Sequence, residues 1–404
     1  MVFFVVIALL AAGDLMVWWW GDRQLRPLGH ARVWRGLLGV LLGGLLVMLA
    51  WWVFFPRTLR GLGGGFWRPA SAWLYLWHLL VLPVTLVALL FGYAICGLVN
   101  RLARRPGPLP AESSAPAVEP APAVASPSRR QILTAAAVFA PQVMLGGTLL
   151  ASAIQGGQFR VRRMELPFGQ LPGALDGMTI AHLSDTHVGR FVGPRELDAI
   201  VEATARLRPD LIAFTGDLID FALADLPPAI AALRQLGKVA PLAVCVGNHD
   251  LFENPSAFRN RVRMAELGLI VDEVMPVTIR GHRVDVLGLG WGTPQSPRAH
   301  AIEGHMGELL GRGDSGAFRV LLAHHPHAFD PAARAGIPLT LAGHTHGGQL
   351  MLTPRWGAGR VFKYWSGLYE QGPSKLVVSN GVGNWFPLRV GAPAEIVHVT
   401  LRTA

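Results

Sequence analysis

The sequence predicts an α/β domain preceded by an all-α transmembrane region of about four helices, and three observations carry that prediction. The first is charge asymmetry: residues 1–155 hold twelve Arg against four acidic residues, whereas residues 156–404 hold 24 Lys and Arg against 22 acids. The second is a set of four apolar stretches confined to the first part. The third is an alternation of short apolar runs and helical stretches from residue 178 onward, with polar residues just past the ends of the runs. Of the 404 residues 51% are hydrophobic and only 15% charged, at a mean hydropathy of +0.37. An ordinary soluble domain carries about 25% charged residues, so a plain soluble globule is disfavoured. The net charge of +10 would suit nucleic acid, but most of the excess lies between apolar segments, where Arg orients membrane helices. No nucleic-acid partner is expected. Two cysteines, Cys96 and Cys245, are too few for a disulfide framework, and both read as buried thiols.

Residues 1–20 and 36–55 are each long enough to cross a hydrocarbon core of about 30 Å as a helix. Residues 70–99 are longer, and tilt or a kink at Pro83 would absorb the excess. Trp18–Trp20 and Trp51–Trp52 fall at segment ends, where amphipathic rings favour the headgroup region. These three spans define a membrane domain over residues 1–99, which would also contact membrane lipids. Asp14, inside the first span, reads either as a functional intramembrane carboxylate or as a polar group near the aqueous end or paired to a neighbouring helix. His78 presents the same alternatives.

Residues 100–130 form a Pro/Ala-rich linker ending in twin Arg. Residues 131–155 read as a fourth transmembrane helix or a signal-like anchor. Ser128-Arg129-Arg130-Gln131-Ile132-Leu133 resembles a twin-arginine export signal, and Ala151-Ser152-Ala153 offers an A-x-A-like cleavage site. An export signal after three spans is unusual, which favours an uncleaved fourth span. The 21–35 loop and the 100–130 linker carry nine Arg, against six in the 56–69 loop and the 160–163 cluster. That bias places a following domain outside the cytoplasm, at a bacterial-type inner membrane.

From residue 178 the strand-like runs are MTIAHLSD (178–185), DLIAFTGD (210–217), PLAVCVGNHD (241–250), VLLAHHP (320–326) and PLTLAGHTH (338–346). Helical stretches at 194–207 and 227–236 separate the first three. At the carboxyl ends of these runs, where α/β sheets build their sites, stand Asp185 and His187, Asp217, Asn248, His249 and Asp250, His324 and His325, and His344 and His346. Carboxylate, imidazole and amide donors without thiolate suit Mn²⁺, Fe²⁺ or Zn²⁺ and argue against a structural zinc site. The set is too large for one tetrahedral ion and sufficient for two divalent ions sharing a carboxylate, an arrangement that clamps the attacking and leaving oxygens of a phosphoryl displacement.

Asp185-x-His187, Gly216-Asp217, Gly247-Asn248-His249-Asp250, His324 and Gly343-His344-x-His346 resemble the five ordered motifs of calcineurin-like metallophosphoesterases. Each is weak alone; five in order, each after a strand-like run, are specific. The resemblance covers residues 160–404 and implies a calcineurin-like four-layer αββα sandwich. It implies that Asp185, His187, Asp217 and His346 hold one metal, and that Asp217 bridges to a second held with Asn248, His324 and His344. His249 would be the non-ligand imidazole that stabilises the transition state or protonates the leaving oxygen, with Asp250 orienting it. His324 is preferred to His325 because the family's ligand sits two residues before a Pro, here Pro326.

The chain lacks the Tyr that purple acid phosphatases place after Gly216-Asp217, and the Asp-Arg-Gly of protein Ser/Thr phosphatases. AGHTHGGQ (342–349), SNGVGNWFPLR (379–389) and the closing EIVHVTL resemble the membrane-associated branch: transmembrane proteins with a metallophosphoesterase domain and twin-arginine-type bacterial phosphodiesterases. Some relatives cleave the pyrophosphate of UDP-2,3-diacylglucosamine in lipid A synthesis, which implies a lipid-linked phosphoester as candidate substrate. Residues 350–369 interleave Arg355, Arg360 and Lys363 with Trp356, Phe362, Tyr364 and Trp365, which suits a membrane interface and anionic headgroups or a flap packed on the sheet. The expected function is a membrane-anchored two-metal hydrolase of a phosphodiester or pyrophosphate. The alternatives are a broad-specificity extracytoplasmic phosphodiesterase or phosphatase, and a non-catalytic metal-binding sensor or scaffold.

Overall fold

The computed structural model describes residues 2–28, 30–54, 64–103, 128–291, 306–314, 316–353 and 356–404. Most of the linker, part of the Gly61–Gly65 run, and Arg355 lie outside the described residues. The chain divides into two units, residues 1–153 and 154–404.

The first unit is all helical: α1 (Val2–Leu25), α2 (Ala31–Phe54), α3 (Gly64–Leu76), a π turn (Trp77–Val81), α4 (Leu82–Ala103) and α5 (Arg129–Gln155). It contains four helical stretches long and apolar enough to cross a membrane: Phe4–Leu25, Ala31–Phe54, Arg68–Val99 and Gln131–Gln155. α2 buries Leu38, Leu42, Leu45 and Leu49, a stripe at helical spacing, while Val40 and Val47 on other faces are 75% and 64% exposed. Such apolar outward faces suit lipid. The irregularity expected at Pro83 occurs just before it, in the π turn. Proline lacks an N–H and crowds the carbonyl four residues back, and the wider turn relieves that clash. Ser128 and Gln131 form a reciprocal cap at the start of α5: Ser128 N–H donates to Gln131 Oε1 at 2.9 Å and Gln131 N–H to Ser128 Oγ at 3.3 Å. The first and fourth residues of the twin-arginine-like hexapeptide thus serve as a capping box. Cys96, expected to be buried, is exposed, whereas Cys245 is buried. Cys96 lies on a stretch of α4 with every residue from Phe91 to Val99 exposed, so apolar surroundings in sequence did not mean burial against protein.

The second unit is the α/β sandwich. β1 (Arg160–Phe168), β2 (Thr179–Leu183), β3 (Leu211–Thr215), β4 (Leu242–Cys245) and β13 (Glu395–Thr403) form one sheet in the order β1-β13-β2-β3-β4. β5 (Glu273–Ile279), β6 (His282–Leu289), β7 (Phe318–Ala323), β8 (Leu339–Ala342), β11 (Gly367–Gln371) and β12 (Ser374–Val378) form the other, in the order β11-β12-β8-β7-β6-β5. β9 (Met351–Thr353) pairs with β10 (Trp356–Gly357) in a small ribbon.

Strand alternation builds the layers. Ile180, Leu211, Ala213, Ala243, Val397 and Val399 of the first sheet meet Val284, Val286, Val320, Leu322, Leu339 and Leu341 of the second in one buried core. The opposite faces of β2, β3 and β4 carry Leu183, Ile212, Phe214 and Val244. These pack on α6 (Pro194–Leu207) through Leu197 and Ile200, on α7 (Leu226–Gly237) through Leu226 and Leu233, and on α8 (Pro255–Met264) through Phe258 and Val262. Leu287, Leu289 and Leu321 of the second sheet are covered by Met306, Leu309 and Ala332. A strand covered on both faces needs an apolar run, and β3 and β4, entirely buried, read as such runs.

Candidate metal centre

Each parallel central strand ends in a loop carrying the polar residues singled out by the sequence, and the backbone there is unusual. Asp185, His187, Asp217, His344 and His346 all have positive φ, between 47° and 69°. Non-glycine residues visit this region rarely and at a cost of order 1–3 kcal/mol, and they concentrate at functional sites. Two motif glycines make the crowding possible. A Cβ on Gly343 would stand 1.9 Å from Ser184 Oγ and 2.2 Å from Asp185 Oδ2, and one on Gly247 would stand 2.1 Å from Asp217 Oδ1.

Two clusters result. In the first, ligand-capable atoms of Asp185, His187 and His346 lie within 4.8 Å of one another; in the second, those of Asp217, His324 and His344 do. His187 also groups with Asp217 and His249, so the clusters adjoin at Asp217. Asp217 Oδ2 lies 3.0 Å from His324 Nε2 and 3.6 Å from His187 Nε2, and its Oδ1 accepts from His249 N–H at 2.8 Å. Asp185 Oδ1 lies 3.2 Å from His346 Nε2, and its carboxylate accepts from Ser184 Oγ and from His344 N–H.

His324 and His325 separate cleanly. His324 donates from Nδ1 to Thr215 O at 2.7 Å, which leaves Nε2 facing Asp217. His325 instead accepts at Nδ1 from His327 N–H at 3.2 Å. Burial opposes protonation of His324, but the Asp217 carboxylate outweighs it and brings the imidazole up to about 9. Asp217 is correspondingly held below the usual carboxylate range: burial pushes it up, and His324 more than reverses that. Burial drives His344 down to about 3 and His346 down to about 4.

Asp250 is not where the expected role requires. Its carboxylate accepts from the N–H groups of Asp217, Leu218, Ile219 and Gly247 at 2.8–3.1 Å, so it stitches the β3 and β4 loops together instead of orienting His249. Burial, with the Asp217 charge beside it, pushes its carboxyl up to about 7, against four donors that favour the ionised form. His249 is oriented by Asp220: its Nδ1 lies 2.5 Å from Asp220 O and 3.7 Å from Asp220 Oδ1. Since a carbonyl only accepts, Nδ1 carries the hydrogen. Burial lowers the pKa of His249.

Three contributors were not assigned a site role from sequence. Asp220 stands three residues after Asp217 in the same loop, and that proximity is the signal that could have found it. Arg389, buried, donates to His346 Nδ1 at 2.9 Å and lies within the SNGVGNWFPLR segment. Trp291 packs its ring 5.4 Å from that of His324 and 5.1 Å from that of His344, and no sequence signal distinguishes it. The 350–369 segment divides. Tyr364 and Trp365 are buried, Trp356 is 64% exposed under the Arg360 guanidinium, and the Phe362 ring lies 5.7 Å from His344.

Comparison with known proteins agrees with this architecture. The model of the calcineurin-like phosphoesterase family matches residues 178–348, a span that holds all seven expected ligands. A transmembrane protein with metallophosphoesterase domain from Danio rerio is 31% identical over 328 residues, covering 79% of this chain and 71% of that protein. The protein of the same description from Bos taurus is 30% identical over 256 residues, covering 60% and 57%. Phosphodiesterase YaeI of Escherichia coli is 26% identical over 235 residues, covering 55% and 81%. Four apolar helices together with transmembrane relatives associate the chain with a membrane. The chain belongs to the calcineurin-like metallophosphoesterase family and is a metal-dependent phosphoester hydrolase.

Proposed function

We propose that the chain hydrolyses a phosphodiester or pyrophosphate of an amphipathic substrate at a site for two divalent ions. Asp185, His187, Asp217 and His346 would hold one ion, and Asn248, His324 and His344 the other, with Asp217 shared. The donor set fits such a pair. Asn248 Oδ1 is buried without a hydrogen-bond partner, and an unpaired buried polar atom is costly unless a ligand satisfies it; His187 Nε2 faces His346 Nε2 at 3.0 Å. His324 Nε2 and Asp217 Oδ2 face each other at 3.0 Å, where only a proton or a cation is compatible with both. Oxygen and imidazole donors suit Mn²⁺, Fe²⁺ or Zn²⁺. The chemistry such a pair supplies when bound is Lewis-acid polarisation of phosphoryl oxygens and activation of water at neutral pH.

The chain's own residues supply the rest. Asp220 O fixes the His249 tautomer so that Nε2 is free to take up a proton beside an anionic phosphate and pass it to the departing oxygen. Asp250 holds the two loops that present Asp217, Asn248 and His249. The four backbone bonds it accepts keep these groups in register.

The observation that carries the amphipathic substrate is the apolar surface beside His249. The Phe252 ring lies 4.6 Å from that of His249, the Phe221 ring lies 5.7 Å from that of Phe252, and the two are 49% and 55% exposed. Exposed aromatic pairs at a catalytic rim suit an apolar substituent next to the scissile phosphate. The name of the E. coli relative supports a diester. UDP-2,3-diacylglucosamine is the lipid-linked candidate, and it requires a cytoplasmic site; the Arg bias of the loops favours the opposite side of a bacterial-type inner membrane. We take the extracytoplasmic amphipathic diester as the leading reading, and the lipid A precursor as its competitor.

The test is turnover by detergent-purified full chain, Mn²⁺-loaded and metal-stripped, on bis-p-nitrophenyl phosphate, p-nitrophenyl phosphate and UDP-2,3-diacylglucosamine. Metal-dependent diester cleavage above monoester cleavage supports the leading reading. Turnover of the lipid nucleotide far above both generic esters replaces it with the lipid A reading and a cytoplasmic site. Preference for the monoester identifies a broad phosphatase, and no turnover with metal bound identifies a sensor or scaffold.

A further inference from the structure

Asp14 stands ten residues after Phe4 and eleven before Leu25, the ends of the first membrane-length stretch. At 1.5 Å per residue it is about 15 Å from either end, in the middle of the span. It is fully buried. Its Oδ1 accepts from Trp77 Nε1 at 2.6 Å, and its Oδ2 lies 3.0 Å from His78 Nε2. His78 is also buried, and its Nδ1 lies 3.0 Å from Leu74 O. Trp77 and His78 open the π turn Trp77–Val81. Such turns break the regular ladder and recur at functional sites.

The hydrogen-bond inventory fixes how many protons this arrangement holds. Leu74 O only accepts, so His78 Nδ1 carries a hydrogen. Trp77 Nε1 only donates, so Asp14 Oδ1 is an acceptor. One further proton is then needed between Nε2 and Oδ2. On the nitrogen it gives imidazolium and carboxylate; on the oxygen it gives neutral imidazole and neutral acid. Either way the pair has no net charge. Without that proton, a lone pair on Nε2 faces a carboxylate, and a net negative charge is left in an apolar interior. Moving the hydrogen from Nδ1 to Nε2 only transfers the conflict to Leu74 O.

We propose that Asp14 and His78 form a proton-binding site in the middle of the membrane unit, holding one proton between His78 Nε2 and Asp14 Oδ2. A unit that served only as an anchor has no need of an ionisable pair there, since a charged residue at a helix centre opposes insertion into the bilayer. The surroundings offer no competing charge among the described residues. The buried faces are Leu38, Leu42, Leu45 and Leu49 on α2, Ala72, Leu74 and Leu76 on α3, Leu82 and Thr85 on α4, and Val138 and Leu145 on α5. Thr85 Oγ1 is engaged with Val81 O. Asp22, toward the end of α1, is paired with Arg26 and Arg35. The other ionisable groups with described side chains are Arg23 on α1, His30 between α1 and α2, Arg32 on α2, Arg68 and Tyr75 on α3, Tyr93, Cys96 and Arg101 on α4 and Arg129 on α5, and none is hydrogen-bonded to the pair. The proposal does not depend on the hydrolase reading.

The experiment is NMR of the full chain in lipid nanodiscs with ¹⁵N-labelled His and ¹³C-labelled Asp, the signals assigned with His78→Gln and Asp14→Asn. At neutral pH we expect His78 Nδ1 to be protonated and one proton on Nε2 or on the Asp14 carboxyl. Asp14→Asn is the informative variant: its amide donates to Nε2 and its oxygen accepts from Trp77 without any added proton. It should keep the wild-type thermal midpoint and lose the shared-proton signal, whereas Asp14→Leu should lower the midpoint. A bare Nε2 opposite an ionised Asp14 in the wild type would overturn the proposal, as would Asp14→Asn lowering the midpoint as much as Asp14→Leu. If Asp14→Asn fails to fold, the wild-type spectrum decides alone.

Discussion

Arg389 donates from Nη2 to Nδ1 of His346 at 2.9 Å, and its other nitrogens donate to Asn380 O, Gly383 O, Ala392 O and Asn384 Oδ1. One buried guanidinium therefore ties the 380–392 loop to a proposed metal ligand. Because a guanidinium only donates, Nδ1 accepts and the neutral His346 ring carries its hydrogen on Nε2, the atom 3.2 Å from Asp185 Oδ1, and an ion bound through Nε2 must displace that hydrogen. Arg389→Met, which lets the hydrogen move to Nδ1, is expected to bind Mn²⁺ more tightly than the wild type. Calorimetric titration of the stripped chain with Mn²⁺ measures it; unchanged affinity in Arg389→Met would remove Arg389 from the site.

Asp250 accepts four backbone N–H bonds. Asp250→Asn turns an amide group toward donors, and each buried group left unsatisfied costs about 1–3 kcal/mol. The expected result is a drop of several degrees in the thermal midpoint of the α/β unit. Asp220→Asn, in contrast, should leave the midpoint nearly unchanged and displace the pH profile of turnover, because Asp220 is the carboxylate beside His249. A normal midpoint with a displaced profile in Asp250→Asn would restore the orienting role to Asp250.

The His324–Asp217 pair sets a pH dependence for the metal-stripped chain. His324 is raised from 6.5 to about 9 in the folded state, so the folded state binds this proton more tightly than the unfolded one. The stabilisation is fully present below pH 6.5 and is lost as pH rises through about 9. Thermal midpoints of stripped protein should fall over that window, and His324→Asn should flatten the fall. Metal affinity should move oppositely, rising with pH, since metal must displace the same proton. A stripped chain whose midpoint rises over this window contradicts the pairing.

His249→Ala should lose about 10²- to 10⁴-fold in turnover while retaining its metals, because His249 is not among the proposed ligands. Metal analysis alongside initial rates separates the two effects. Loss of metal together with rate would make His249 a ligand.

Much of this site was legible in the sequence because strand ends impose an order on it. Asp185, Asp217, Asn248, His324 and His344 each follow a short apolar run, and parallel strands bring those ends to one edge of the sandwich. Asp250 was found but given the wrong partner, since its contacts are to backbone N–H groups, which carry no residue-type signature. Arg389 meets His346 across 43 residues and Asp14 meets His78 across 64. No local spacing rule reaches that far, and only the folded chain shows which of several possible partners is taken. The β5–β6 and β11–β12 hairpins were passed over for a related reason. β11 is largely exposed and β5 only partly buried, so neither shows the continuous apolar run of β3 or β4.

The central claim is that hydrolysis requires two ions held by one contiguous set of side chains. The most direct measurement is diester turnover by the stripped full chain as Mn²⁺ is added, with bound metal counted in parallel, in the wild type and in Asp217→Asn. The account predicts no turnover without metal, full turnover at two ions per chain, and loss of both ions' effect in Asp217→Asn because Asp217 is shared. Full turnover in the stripped chain, or at one ion per chain, would contradict it.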